Sequence, residues 1–211
     1  MLRIPKQILP VLVSIWSKVY PYRISQRKRR WRDVLYTMWL RPYLGSIGEG
    51  VCISRPVFIE GGGQDSIKIG DHTFIGRNTI LGCWKKYREM YYMPSLIIGN
   101  NCSIGEYCHI TAINRITIGN GVLTGRFVFI GDNAHGGLSI AESNTPPSLR
   151  CLVSKGEITI GSNVWIGDKV SILGGVTVGD NVIIGTGSVV THDLPANSMA
   201  AGIPARVIKQ L

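Results

Sequence analysis

The segment Ile160–Val190 reads IGSNVWIGDKVSILGGVTVGDNVIIGTGSVV. An aliphatic residue stands at 160, 166, 172, 178, 184 and 190 without a slip. Four positions after each comes a small or β-branched residue: Val164, Val170, Val176, Val182 and Ser188. A period of six is neither the 3.6 of a helix nor the 2 of a simple strand. It marks a three-sided β-helical prism with one repeat per face.

The register extends back through the chain in triplets. They are Ile47, Ile53, Ile59; Ile69, Ile75, Leu81; Ile98, Ile104, Ile110; Ile118, Thr124, Ile130; Ile160, Ile166, Ile172; and Val178, Ile184, Val190. Three repeats make a turn, so the prism has about six coils and stands roughly 29 Å tall at the inter-strand spacing. Between triplets the spacings are 10, 17, 8, 30 and 6 residues, where 6 means no insertion. Every insertion therefore leaves at one corner, between the third face of a coil and the first face of the next. The two long ones, 82–97 and 136–157, differ in kind. The first is aromatic and basic; the second is rich in Ser, Pro and Gly. Loops stacked on one edge of a rigid scaffold form a natural binding wall, although packing at a subunit interface would use the same edge. After Val190 a short tail caps the last coil.

At 45% hydrophobic, the chain can bury a sizeable core, and 26 glycines suit many tight corners. The five cysteines have no metal-type pairing, and Cys102 and Cys108 fall at small-residue places of the repeat. They read as packing thiols in a reducing, cytoplasmic compartment. The net charge of +10 is uneven: residues 1–42 hold ten Lys/Arg and one acid, Asp33. The chain thus divides into a basic helical segment, 1–44, and a nearly neutral β-helical domain, 45–211.

The apolar stretch from about Ile8 to Val19, broken by Pro10, is too short to span a bilayer. Arg3 and Lys6 allow a signal peptide, but no small-residue cleavage site follows. The run Arg27-Lys28-Arg29-Arg30-Trp31-Arg32, followed by Val34, Leu35, Met38, Trp39 and Leu40, reads as an amphipathic helix. Such a helix suits the inner face of an anionic membrane, or a lid over the open end of the prism. No nucleic-acid partner is expected, because no recognised binding module accompanies the patch.

Among four histidines, His135 stands out. It ends the repeat begun by Ile130, at the mouth of the longest loop. Asn133 lies in the same run, Gly131 to Gly137, and the register brings Asn114 near from the coil below. An imidazole is a natural general base for a hydroxyl nucleophile near neutral pH. His72 is expected exposed at a corner, His109 at another corner, and His192 at the edge of the last coil. Trp165 ends a different repeat, on a different corner from His135. Asp168 and Thr186, 18 residues apart, stack along the axis and could edge a groove, with Arg206 and Lys209 placed to meet phosphate at its end.

The stretch from Ile160 through Thr186, Thr191, His192 and Leu194-Pro195 to Arg206 and Lys209 resembles the hexapeptide-repeat acyltransferases, over about residues 45–211. It is most similar to the branch of maltose and galactoside O-acetyltransferases and surface-polysaccharide acetyltransferases. The resemblance implies a left-handed parallel β-helix, a homotrimer with sites between subunits, and acetyl-CoA as co-substrate. It implies His135 as catalytic residue and Trp165 as a site-lining residue, while Asn114 and Asn133 are the acceptor-binding candidates that register and local run supply. It also implies Asp168, Thr186, Thr191, His192, Arg206 and Lys209 along the coenzyme A groove. The long excursion after His135, the 82–97 loop and the basic segment depart from the soluble sugar enzymes.

The expected function is acetyl transfer from acetyl-CoA to a sugar hydroxyl, with a polysaccharide, lipopolysaccharide or capsule intermediate as acceptor. The basic segment favours a lipid-linked glycan. Rival readings are a non-catalytic glycan-binding scaffold and a serine or antibiotic acetyltransferase. A zinc enzyme of this architecture needs three converging histidines, which the register scatters, so no metal is expected.

Overall fold

The computed structural model describes residues 8–137, 142 and 144–210. Three sheets of parallel strands form the walls of a prism. The first sheet has six strands, bearing Ile47, Ile69, Ile98, Ile118, Ile160 and Val178 in register. The third also has six and carries Ile59, Leu81, Ile110, Ile130, Ile172 and Val190. The second carries the middle member of each triplet and gains two strands, Ser198–Gly202 and the antiparallel Ala205–Gln210. The tail therefore closes the prism by extending one wall.

The repeat works because its corners are satisfied. Two residues after each inward residue of the first sheet comes a side-chain oxygen that caps the coil before it. Asp71 accepts from the Glu49 amide at 2.7 Å, Asn100 from Asp71 at 2.7 Å, and Asn120 from Asn100 at 2.8 Å. Ser162 and Asp180 continue the ladder to the last coil. The next residue of each corner turns through the left-handed region, as Asn101, Asn163 and Asn181 do at φ 55°, 58° and 57°. Asn tolerates that conformation better than most residues.

Inside, the six-residue places pack into one column of buried aliphatics. Cys83, Cys102 and Cys108 are buried in it, and all five cysteines are free thiols. Burial pushes the Cys83 thiol up to about 12. Thr124 occupies an aliphatic place, and its buried hydroxyl is satisfied: it accepts from the Gly105 amide at 2.8 Å and donates to the Gly125 carbonyl at 3.1 Å.

All the insertions leave the third sheet and return to the first. The 82–97 loop is narrower than its sequence bounds, since strands reach Cys83 and restart at Ser95. Between them Lys86–Tyr87 and Met90–Tyr91 form a hairpin. The 136–157 excursion departs after Ala134–His135 and returns as Leu152–Val153, paired antiparallel. Residues 138–141 and 143 of that excursion lie outside the described residues, as do Arg3 and Lys6.

Two helices precede the prism, α1 (Leu9–Val19) and α2 (Tyr22–Leu40). Pro10 does not break the apolar stretch. It sits in the first turn of α1, where a missing N–H costs no hydrogen bond. Helix α1 buries no residue, whereas α2 closes the open end of the first coil. The buried Asp33 accepts from the Ser54 hydroxyl at 2.9 Å and the Arg55 amide at 3.1 Å. Thr37 accepts from the Ile53 amide at 2.8 Å, and Leu40 joins the core. These side chains occupy donors that an open sheet edge would leave bare. Replacing Asp33 by Ala strands two of them and should lower unfolding stability by about 1–3 kcal/mol. An unchanged urea midpoint would show that α2 does not hold the first coil.

Candidate active site

The corner that hosts the insertions is organised around a buried carboxylate, Asp132. It accepts from the backbone amides of Ile113 at 2.9 Å and Asn114 at 3.0 Å, tying two coils together. Burial pushes its carboxyl above the ordinary carboxylate range, against the pull of those bonds. Asn133 follows and is locked by donating to the Thr111 carbonyl at 3.0 Å and hydroxyl at 3.3 Å. From this anchored base the short strand Ala134–His135 projects, with His135 exposed.

Three residues of the 82–97 loop hold the excursion around His135. Tyr87 donates its hydroxyl to the Ser148 carbonyl at 3.1 Å, and Arg88 donates to the same oxygen at 2.9 Å. Tyr92 donates to the carbonyl of Leu152, the residue opposite His135, at 2.9 Å. The Tyr87 ring meets His135 edge to face, with centroids 5.4 Å apart. Two insertions far apart in sequence thus clasp each other over one histidine.

A cavity lies on each side of the Ala134–His135 strand. One, of about 300 Å³, runs along the outer face of the third sheet, with Glu60, Trp84, His109, Phe129 and His135 in its lining. The other, of about 450 Å³, opens toward the fifth coil between Ala134, Lys155 and Leu173-Gly174. Asn133 lines both. A larger cavity of about 550 Å³ lies along α2, between Arg32, Trp39 and Arg55. It is remote from His135 and reflects helix packing on the first coil.

His109 differs from its sequence reading. It is not in the turn but opens the strand His109–Ala112 on the outer face of the third sheet, paired with Phe129 and Ile80, and it shares the cavity with His135. Burial holds its imidazole below the usual range, partly opposed by Glu60. The signal was present: the residue before inward Ile110 must point outward, on the face whose end bears His135. Glu60, Trp84 and Asp132 were also missed, because their roles depend on which loops meet.

The other sequence candidates divide between two edges. Asn114 is exposed and is not among the lining of either cavity. Thr191 and His192 stand on the corner of His135, two coils further on, with Thr191 Oγ1 2.7 Å from His192 Nδ1. Asp168 and Thr186 stack on the corner between the second and third sheets, and the Asp168 carboxylate accepts from the Arg126 amide at 2.8 Å. Trp165, 54% exposed, lies on the outer face of the second sheet, whose antiparallel extension carries Arg206 and Lys209. The chain therefore brings His135 and Asn133 together but not His135 and Trp165. Among the described residues, no group of three or more His, Cys, Asp or Glu could hold a metal ion.

Residues 157–192 match the family described as Bacterial transferase hexapeptide (six repeats). WbbJ of Escherichia coli K12, assigned as a lipopolysaccharide biosynthesis O-acetyl transferase, is 36% identical over 119 residues, covering 54% of this chain and 60% of that protein. The galactoside O-acetyltransferase of the same organism is 39% identical over 125 residues, covering 57% and 56%. The chain thus spans less than two thirds of the length of these relatives. AntD, an N-acyltransferase from Bacillus cereus solved with an amino-sugar nucleotide and coenzyme A, superposes with a TM-score of 0.65 at 20% identity, over 83% of this chain and 88% of that one. Residues 157–192 therefore match the bacterial transferase hexapeptide family, and the prism is a left-handed parallel β-helix, the fold it shares with AntD.

Proposed function

We propose that the protein transfers an acetyl group from acetyl-CoA to a sugar hydroxyl, with His135 as general base. The observation that carries this reading is the placement of His135 on a strand between two cavities. One can receive the acceptor and the other the thioester. His135 takes the hydroxyl proton as the oxygen attacks the thioester carbonyl. The new C–O bond forms, the C–S bond breaks, and the proton passes from His135 to the leaving thiolate. Tyr87, Asn133 and Asp132 hold the strand so that the imidazole needs no rearrangement. The curated relatives are named as O-acetyltransferases, one for galactosides and one for lipopolysaccharide biosynthesis, which supports a glycan acceptor.

Replacing His135 by Ala should cut turnover by about 10²- to 10⁴-fold while leaving acetyl-CoA binding by calorimetry intact. Wild-type turnover in that variant would overturn the role. A wild-type chain that binds no acetyl-CoA would leave the glycan-binding scaffold as the better reading.

Three copies complete the site in this proposal. Asp168, Thr186, Trp165, Arg206 and Lys209 occupy one edge of the chain, and Thr191 and His192 the edge of His135. They bracket one coenzyme A only where the second-sheet edge of one copy meets the His135 edge of the next. The outer row of the second sheet supports this contact, being apolar and exposed at Phe74 38%, Leu123 48% and Trp165 54%. Leu123→Arg places a charge in that row, so sedimentation should show monomer and acetyl-CoA affinity should fall together. A variant that sediments as wild type would remove this surface from the interface.

The division into a basic segment at 1–44 and a catalytic prism at 45–211 completes the proposal, the segment meeting an anionic membrane. No helix among the described residues is long and apolar enough to cross a membrane. Yet α1 leaves Val11, Val13, Trp16 and Val19 58%, 57%, 64% and 68% exposed, beside the cations of α2. Apolar and cationic surface together suit anionic headgroups and place a lipid-linked acceptor within reach. Because α2 closes the first coil, the test removes α1 alone. A chain starting at Pro21 should lose co-sedimentation with phosphatidylglycerol vesicles and keep its oligomeric state. Undiminished vesicle binding would remove α1 from the membrane contact.

A further inference from the structure

The cavity below His135 is longer than one hydroxyl-bearing ring requires. Glu60 belongs to the first coil, His109 to the third, and Phe129 and His135 to the fourth. Three coil steps separate its ends, or roughly 14 Å along the prism axis. Its floor is opened by small residues. A Cβ on Gly82 would stand 3.1 Å from Thr111 Oγ1 and 3.2 Å from Trp84 Nε1, so the indole lies over that glycine. Trp84 meets Tyr87 edge to face at 6.0 Å, and His109 meets Phe129 in the same way at 5.6 Å. Aromatic rings thus wall the whole length.

Two polar groups in this cavity, Glu60 and His109, are available. Neither Glu60 nor His109 makes a side-chain hydrogen bond or ion pair with another described residue, although both line a cavity roofed by the clasped loops. Such a mixture of aromatic faces and few convergent polar groups is suited to the C–H faces and hydroxyls of sugar rings. The lining holds one carboxylate, Glu60, and no Lys or Arg. It favours neutral or amino sugars over uronic acids, whose carboxylates would face Glu60 without a counter-charge.

We infer that the acceptor is a glycan segment of at least two rings lying along the prism axis, with its acetylated ring at His135 and the next ring held by Trp84 and Glu60. This rests on the transferase reading above and adds a specificity subsite to it. The second ring lies toward the helical end of the prism, the end that carries the proposed membrane contact.

The test uses the full chain with acetyl-CoA, following thiol release. The acceptors are matched methyl glycosides, the mono- and disaccharides of glucose, galactose and N-acetylglucosamine. For the best pair, wild type should prefer the disaccharide by about tenfold or more in kcat/KM. In Trp84→Ala and in Glu60→Gln that ratio should collapse toward one, chiefly through KM, and Trp84→Phe should restore part of it. Equal losses on both members of each pair, or no disaccharide preference in wild type, would overturn the subsite. Calorimetric binding of the same glycosides to His135→Ala separates the two readings. Disaccharide binding that depends on Trp84 and Glu60, in a protein whose wild type releases no thiol, retains the subsite and rejects the transferase. Disaccharide binding no tighter than monosaccharide binding rejects the subsite alone.

Discussion

Everything in this molecule depends on the chain turning tightly at the corners while its strands stay in register. Each first corner needs a residue in the left-handed region and an acceptor for an amide that would otherwise go unpaired. Asn101, Asn163 and Asn181 meet the first need, and the oxygens of Asp71, Asn100, Asn120, Ser162 and Asp180 meet the second. Because each first corner is capped from the next coil, a slip of one residue there would break a column of bonds at once. Insertions are therefore confined to the corner where the chain crosses from third sheet to first.

That confinement explains the candidate site. Loops that leave one edge at successive heights must lie over one another, and here they clasp through Tyr87, Arg88 and Tyr92. Asp132 replaces the ladder oxygen at this corner with a carboxylate that serves two amides, and its burial keeps the base of the His135 strand rigid. A loop histidine is thereby tied to the sheet scaffold through Asp132, Tyr87 and the strand opposite it, the arrangement that orientation-dependent chemistry needs.

The N-terminal helices show the opposite economy. A stacked prism has two open ends, and each exposes a strand edge. At one end the chain folds back as an antiparallel strand pair. At the other, α2 inserts Asp33, Thr37 and Leu40 and turns its cations outward. Helix α1 has no such duty, and its apolar surface is uncovered in the single chain.

The six-residue period was legible from the sequence because it is a local requirement. Every inward place must be aliphatic or small, and nearly every corner carries Gly, Asn or Asp, the turn Ser54-Arg55-Pro56-Val57 being an exception. Composition likewise isolated the basic segment, and the spacing of the triplets put His135 at the shared corner. Which side chains face His135 was not legible. Glu60 comes 75 positions before it in the chain and Trp84 comes 51 before, and they meet it only because stacking converts sequence distance into a few coil heights. His109 shows the boundary between the two: its outward direction follows from alternation, but the cavity it shares exists only where two insertions close over the same face. Local geometry set the walls, and long-range stacking decided what stands against them.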